Sequence, residues 1–224
     1  MNTEMIYTRR GFVKVAAGAV AAAAMFAAGA ESIDFEEAFA GSTDGRTPGE
    51  SVAQSNMVVG AWYSASVNLY VPAKLNAIIK MNAYLTNLTT PTSLFGAKPT
   101  TPVADNGFVR LNDNGSYSVY VDEFNNTFGL LSIGGSAEGG SANDGSGVTV
   151  KTQRTAKWNV SNYTNRIDAL SFTLPKGYSG DPTFNAEEYA NFMNVGNKSW
   201  DVTLIVDFDS VKTFTGVSDP VVNE

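Results

Sequence analysis

The sequence contains no cysteine and no histidine. Without cysteine there is no disulfide framework and no thiolate nucleophile. Without histidine there is no imidazole base, and a His/Cys metal cage or a histidine-held haem goes with it. Positive charge is scarce too: 15 Lys+Arg stand against 22 Asp+Glu, a formal net charge of −7. That balance argues against a nucleic-acid partner, whose phosphates need clustered Lys and Arg. The 224 residues, 43% of them apolar, are enough for one core-bearing domain behind a leader. The surviving classes are a mildly acidic binding or structural domain, or an enzyme built only on carboxylates, hydroxyls and Lys.

The beginning of the chain reads as an address. Thr8-Arg9-Arg10-Gly11-Phe12-Val13-Lys14 precedes Val15 to Ala30, a weakly apolar Ala/Gly run ending in small residues. A charged flank, a short apolar core and a small-residue exit describe an export signal. The pair Arg9 and Arg10 makes it similar to a twin-arginine signal, the type read by the folded-protein export pathway. The run is too short and too rich in Ala and Gly to span a bilayer well. Cleavage fits after Ala30 or after Ala40, with the second preferred, so the signal is assigned to residues 1–40. A secreted, extracellular product is expected, touching a membrane only through the uncleaved signal.

Residues 41–57, rich in Gly, Ser and polar groups, read as a flexible lead-in. Beyond them, alternation with period 2 dominates. Ala61, Tyr63, Ala65, Val67, Leu69 and Val71 alternate with Trp62, Ser64, Ser66, Asn68 and Tyr70. Trp200, Val202, Leu204, Val206 and Phe208 do the same near the end, and Leu170, Phe172 and Leu174 form a shorter strand. Phe108–Leu111 and Ser116–Val121 flank Asn112-Asp113-Asn114-Gly115, a hairpin whose glycine supplies positive φ. Phe128–Ile133 and Val148–Thr152 add two strands around a Gly/Ser/Asn connection, residues 134–147. Pro72 to Met81 predicts a short helix, with Pro in its first turn and Leu75, Ile78 and Ile79 on one face. The fold class expected is all-β: an antiparallel immunoglobulin-like β-sandwich with one short helix over residues 58–215, followed by a tail, 216–224.

Chemistry-bearing motifs are sparse. Asp201, Asp207 and Asp209 fall on the outward face of the last strand, and Glu187-Glu188 read as exposed. No Ser-x-x-Lys or Gly-x-Ser-x-Gly is present, so no enzyme is expected. By alternation Trp62 is the best exposed aromatic for stacking on a sugar ring, whereas Trp200 shares the inward set.

The order of elements resembles the near-iron-transporter (NEAT) family, immunoglobulin-like haem-binding modules of Gram-positive surface proteins. The pieces that carry the resemblance are Lys80-Met81-Asn82-Ala83-Tyr84-Leu85, Gly115 to Val121 running into Asn126-Thr127-Phe128-Gly129, Asn165-Arg166-Ile167-Asp168, and Val206-Asp207-Phe208-Asp209-Ser210-Val211. The resemblance implies capture of haem or a similar planar apolar ligand at the sandwich end. Tyr84 and Met81 would form one wall there, with Tyr189 and Met193 opposite. The positions of the family's iron-ligating Tyr-x-x-x-Tyr fall near Lys198 and Val202, and that of its propionate-gripping lip serine at Ile79, so another tyrosine would have to meet the iron. Two functions therefore stand from the sequence: an exported non-catalytic protein binding haem or a porphyrin, or a secreted cell-surface adhesin or structural protein making protein or glycan contacts. No cofactor beyond haem is implied.

Overall fold

The computed structural model of the protein describes residues 45–74, 80–86, 102–125, 128–190 and 196–223. Among the described residues eleven strands follow in order: β1 (Thr47–Ser51), β2 (Trp62–Lys74), β3 (Lys80–Tyr84), β4 (Gly107–Leu111), β5 (Tyr117–Asp122), β6 (Phe128–Ile133), β7 (Gly139–Ser141), β8 (Thr149–Val160), β9 (Tyr163–Leu174), β10 (Thr183–Ala190) and β11 (Gly196–Thr215). They form one antiparallel sheet in the order β6-β10-β11-β2-β4-β5-β9-β8-β7, with β1 added on β11 and β3 on β2. The two ends of that order, β6 and β7, are consecutive in the chain. A tight turn joins them, in which Ile133 N–H donates to the Ser136 carbonyl at 2.9 Å. The sheet thus curls over its own core and nearly closes.

Alternation is why these residues make strands. Val67, Leu69, Val109, Val119, Phe172, Phe184 and Leu204 point inward and are at most 1% exposed. Each such side chain contributes roughly 1.5–3 kcal/mol by leaving water. The β4–β5 hairpin forms as its sequence directs: Asn112 N–H donates to Ser116 and Gly115 N–H to Asn112, with Gly115 at φ +80°. Closure beyond the turn comes from the β8–β9 hairpin, whose tip folds against β6. An added Cβ at Gly129 would lie 2.1 Å from the Trp158 ring, so glycine is what lets the indole sit on the β6 backbone.

Three expectations need correction. The helix expected over Pro72–Met81 is a strand pair wherever it is described, with Pro72↔Asn82, Ala73↔Met81 and Lys74↔Lys80 in register. Its middle residues, 75–79, lie outside the described residues. Among these the helical structure is a single 3-10 turn, Gln54–Asn56. An apolar spacing of three and four does not by itself fix a helix, and the described flanks on either side pair as antiparallel strands, from Lys74↔Lys80 to Tyr70↔Tyr84. Pro72 is tolerated because β2 has by then left β11, whose register with it ends at Tyr70↔Thr203.

The described part of the supposed flexible lead-in, residues 45–57, is built into the fold: β1 pairs with β11, and Met57 enters the core. Arg46 fixes it, donating to Ser64 Oγ and to the carbonyls of Asp105 and Gly107 at 2.6–3.1 Å while lying 3.6 Å from the Phe108 ring centroid. The 134–147 connection contains β7, paired with β8. The tail is docked as well, since Val217 and Val222 pack on the sheet's outer face.

Candidate functional site

On the outer face of the sheet, neighbouring strands bring unlike side chains into rows. One row runs Trp62, Arg110, Ser118, Thr173 and Thr149 across β2, β4, β5, β9 and β8; the next runs Ser64, Phe108, Tyr120, Ser171 and Lys151. The aromatic half of these rows is covered. Trp62, Phe108 and Tyr120 form a second apolar cluster with Phe214, Val217 and Val222 of the C-terminal segment, and Phe108 meets Phe214 edge-on at 5.1 Å. Trp62 is only 8% exposed, which overturns its expected role as an exposed sugar-stacking platform. The cover comes from residues some 150 positions later in the chain.

The other half of the rows stays open. A cavity of about 730 Å³ lies there, floored by Ser118, Ser171, Thr173 and Thr149. Short hydroxyls at these outward positions leave a floor between two walls. Ser118 and Ser171 are each 8% exposed although they face outward. One wall is the Asn112–Ser116 turn and the other is Val222 and Asn223. The result is a trough running across the strands.

Both walls are held by hydrogen bonds. Asn112 Nδ2 donates to Ser116 Oγ at 2.9 Å and to Ser118 Oγ at 3.0 Å, while Ser116 Oγ donates to Asn114 Oδ1 at 2.7 Å. Arg110 donates from Nε to Asn112 Oδ1 at 3.1 Å, and its guanidinium lies 4.9 Å from the Trp62 ring centroid. On the far side Gln153 Nε2 donates to Ser171 Oγ at 2.7 Å and to the Asn223 carbonyl, and Gln153 Oε1 accepts from Asn223 N–H at 2.8 Å. Lys151 is exposed at this end and makes no ion pair among the described residues. The trough therefore offers hydroxyl and amide groups in fixed positions, with one cation near each end. Such a set binds polar chains by hydrogen bonding; it holds no evident nucleophile–base pair.

The ligand residues expected from the sequence fall elsewhere. Tyr84 is buried on β3, its ring 5.6 Å from that of Tyr70. Burial, and then Tyr70 and Asp181, push its phenol above the ordinary range. Tyr189 is half-buried on the outer side of β10, with its ring against Trp158 at 5.9 Å and Tyr163 at 5.3 Å. The two tyrosines are not brought together. Tyr84 is in register, through Tyr70, with Thr203 of β11, and Tyr189 with Asn197. Six residues of strand separate those levels, about 20 Å. Met81 lies on β3 opposite Ala73, and its side chain is outside the described residues, as are Met193, Arg9 and Arg10.

Two other features stand apart from the trough. A cavity of about 360 Å³ at one end of the barrel is lined by Tyr178, Asp181, Asp207, Phe208 and Asp209 among others. Among the described residues no three carboxylates converge to hold a metal ion. Glu188, expected at the surface, is instead fully buried, and neither of its oxygens has a hydrogen-bond partner among the described residues. Burial alone pushes its carboxyl up to about 8.

The trough residues were missed in the sequence because each is an unremarkable Ser or Thr. The available signal was their position: outward sites on three strands occupied by short hydroxyls. Only the strand order makes them neighbours. Comparisons with protein-family models, with curated proteins and with solved structures gave no match.

Proposed function

We propose that the protein is an exported, non-catalytic contact module of the cell surface that holds a glycan chain in the outer-face trough. The observation that carries this reading is the sunken hydroxyl floor of Ser118, Ser171, Thr173 and Thr149 between two hydrogen-bonded walls. Its donors and acceptors match those of sugar hydroxyls, and pre-positioning lowers the ordering cost of binding. Because the nearby Trp62 is covered, recognition relies on hydrogen bonds rather than ring stacking. Export follows from the resemblance of the Arg9-Arg10 segment to a twin-arginine signal.

The haem reading has less support. An iron–phenolate bond needs an ionised tyrosine facing an opening, whereas burial holds Tyr84 in its neutral form and the Tyr189 ring is flanked by two other aromatics.

The deciding experiment is a glycan array probed with the purified protein and with Thr173→Tyr, which places a ring in the trough from an exposed position. Binding by the parent and loss in the variant supports the reading; a blank array, or equal binding by both, refutes it. A parallel hemin titration is expected to show no tyrosinate charge-transfer bands.

A further inference from the structure

One edge of β8 is open. The strand pairs with β9 from Thr149 to Val160, but on its other edge β7 covers only Thr149–Lys151. The last backbone bond on that side runs from Thr152 N–H to the Glu138 carbonyl at 2.9 Å. From Gln153 to Val160 no strand lies against it among the described residues. Such a row of unpaired backbone groups is a template for one more strand, and no proline interrupts it. Trp158 is buried and Ala156 and Val160 are partly covered, whereas Thr155, Lys157 and Asn159 face water. Lys151 and Lys157 are exposed and make no ion pair among the described residues; Arg154 is held by Asp122 and Asp168. A second β8 laid along this edge would bring like charges together, which disfavours self-pairing. The edge suits an acidic strand whose alternate residues are apolar.

We infer that this edge is taken by the chain's own residues 31–37, added as a further strand beside β8. Glu31-Ser32-Ile33-Asp34-Phe35-Glu36-Glu37 carries four carboxylates and no cation, and Ile33 and Phe35 alternate with Ser32, Asp34 and Glu36. Laid along β8, Ile33 and Phe35 turn to the side of Trp158, and Asp34 and Glu36 to the side of Lys157. The opposite terminus demonstrates the reach. Gly45 lies against Gly216, and seven positions beyond Gly216 the Asn223 backbone is hydrogen-bonded to Gln153 of β8. Residues 38–44, about 23 Å when extended, therefore span the same gap from Gly45 to the start of the open edge. This pairing requires the export signal to be cut after Ala30, the site that leaves the acidic segment on the mature protein.

The test uses the exported product of the full chain. Its first residue, read by intact mass and amino-terminal sequencing, is expected to be Glu31; a product beginning at Gly41 overturns the inference. Amide hydrogen exchange is then compared with that of Phe35→Pro, in which proline removes a backbone donor from the added strand. Residues 153–160 are expected to exchange at least roughly tenfold faster in the variant, with β4 and β5 unchanged as the sign of an intact fold. Lys157→Glu should have the same local effect, and adding Asp34→Lys and Glu36→Lys should reverse it. Exchange at 153–160 that ignores Phe35→Pro or the charge changes overturns the inference. Protection lost on dilution, with a dimer mass by light scattering, overturns the assignment to the same chain and gives the edge to a second copy. None of these readouts depends on the glycan reading.

Discussion

Glu188 of β10 and Lys198 of β11 are direct cross-strand partners, yet no ion pair joins them. The carboxyl points into the core between the inward Ala186 and Ala190 and is fully buried, while the lysine is half-exposed. An unpaired carboxylate is too costly at such a site, so the group keeps its proton at neutral pH.

A pH dependence results. The unfolded chain releases this proton at about the ordinary value of 4.5, the folded chain only at about 8. Between those values the unfolded state binds fewer protons, so stability falls as pH rises through the window. Below the window this contribution is absent; above it the full penalty applies. Denaturant midpoints measured from pH 4 to 9 should decline by the equivalent of a few kcal/mol, and Glu188→Met should flatten the decline and raise the midpoint at pH 9. A parent profile as flat as the variant's would show that the carboxyl finds a partner.

Trp158 lies directly on the Gly129 backbone. Gly129→Ala should push the indole outward and destabilise the fold by about 1–3 kcal/mol, as overpacking does. Near-UV circular dichroism should lose tryptophan signal in parallel. Retention of both stability and signal would mean that the β8–β9 tip does not press on β6.

Arg166 is 6% exposed and donates to the carbonyls of Phe124, Asn125 and Phe128 as well as to Asp168. One side chain thereby ties β9 to the segment entering β6. Arg166→Met removes donors from several buried acceptors and leaves Asp168 with Arg154 as its one cation among the described residues. A loss of about 3 kcal/mol or more is expected. Amide exchange should accelerate first in residues 128–133, which localises the effect to the closing edge.

Arg46 joins the first strand to the sheet. Arg46→Ala should cost about 1–2 kcal/mol from lost hydrogen bonds and the Phe108 contact. Limited proteolysis should then cut near β1, all five residues of which are exposed, before the rest of the domain opens.

Truncation after Val217 removes Val222 and Asn223, and with them one wall of the trough and part of the cover over the outer aromatic cluster. Tryptophan emission should shift to the red as Trp62 gains water, and glycan binding should weaken. An unchanged spectrum would place the cover elsewhere.

The sequence by itself determined the all-β class and most of the strands, because inward and outward alternation is a local property that the backbone pleat reads directly. It also determined the β4–β5 hairpin, whose Asn-Asp-Asn-Gly turn carries its own geometry. It did not reveal β10, since a carboxylate at Glu188 breaks the inward pattern of Phe184, Ala186 and Ala190. At Pro72–Lys74 and Lys80–Met81, spacing alone could not separate a helix from paired strands, because the choice depends on contacts such as Tyr84 pairing with Tyr70. Tertiary structure alone decided which outward residues meet water. Trp62 is covered by a segment from the far end of the chain, and Ser118, Thr173 and Thr149 share a trough only because β5, β9 and β8 lie side by side. Burial is set by whatever packs above a residue, and here that neighbour lies more than a hundred positions away.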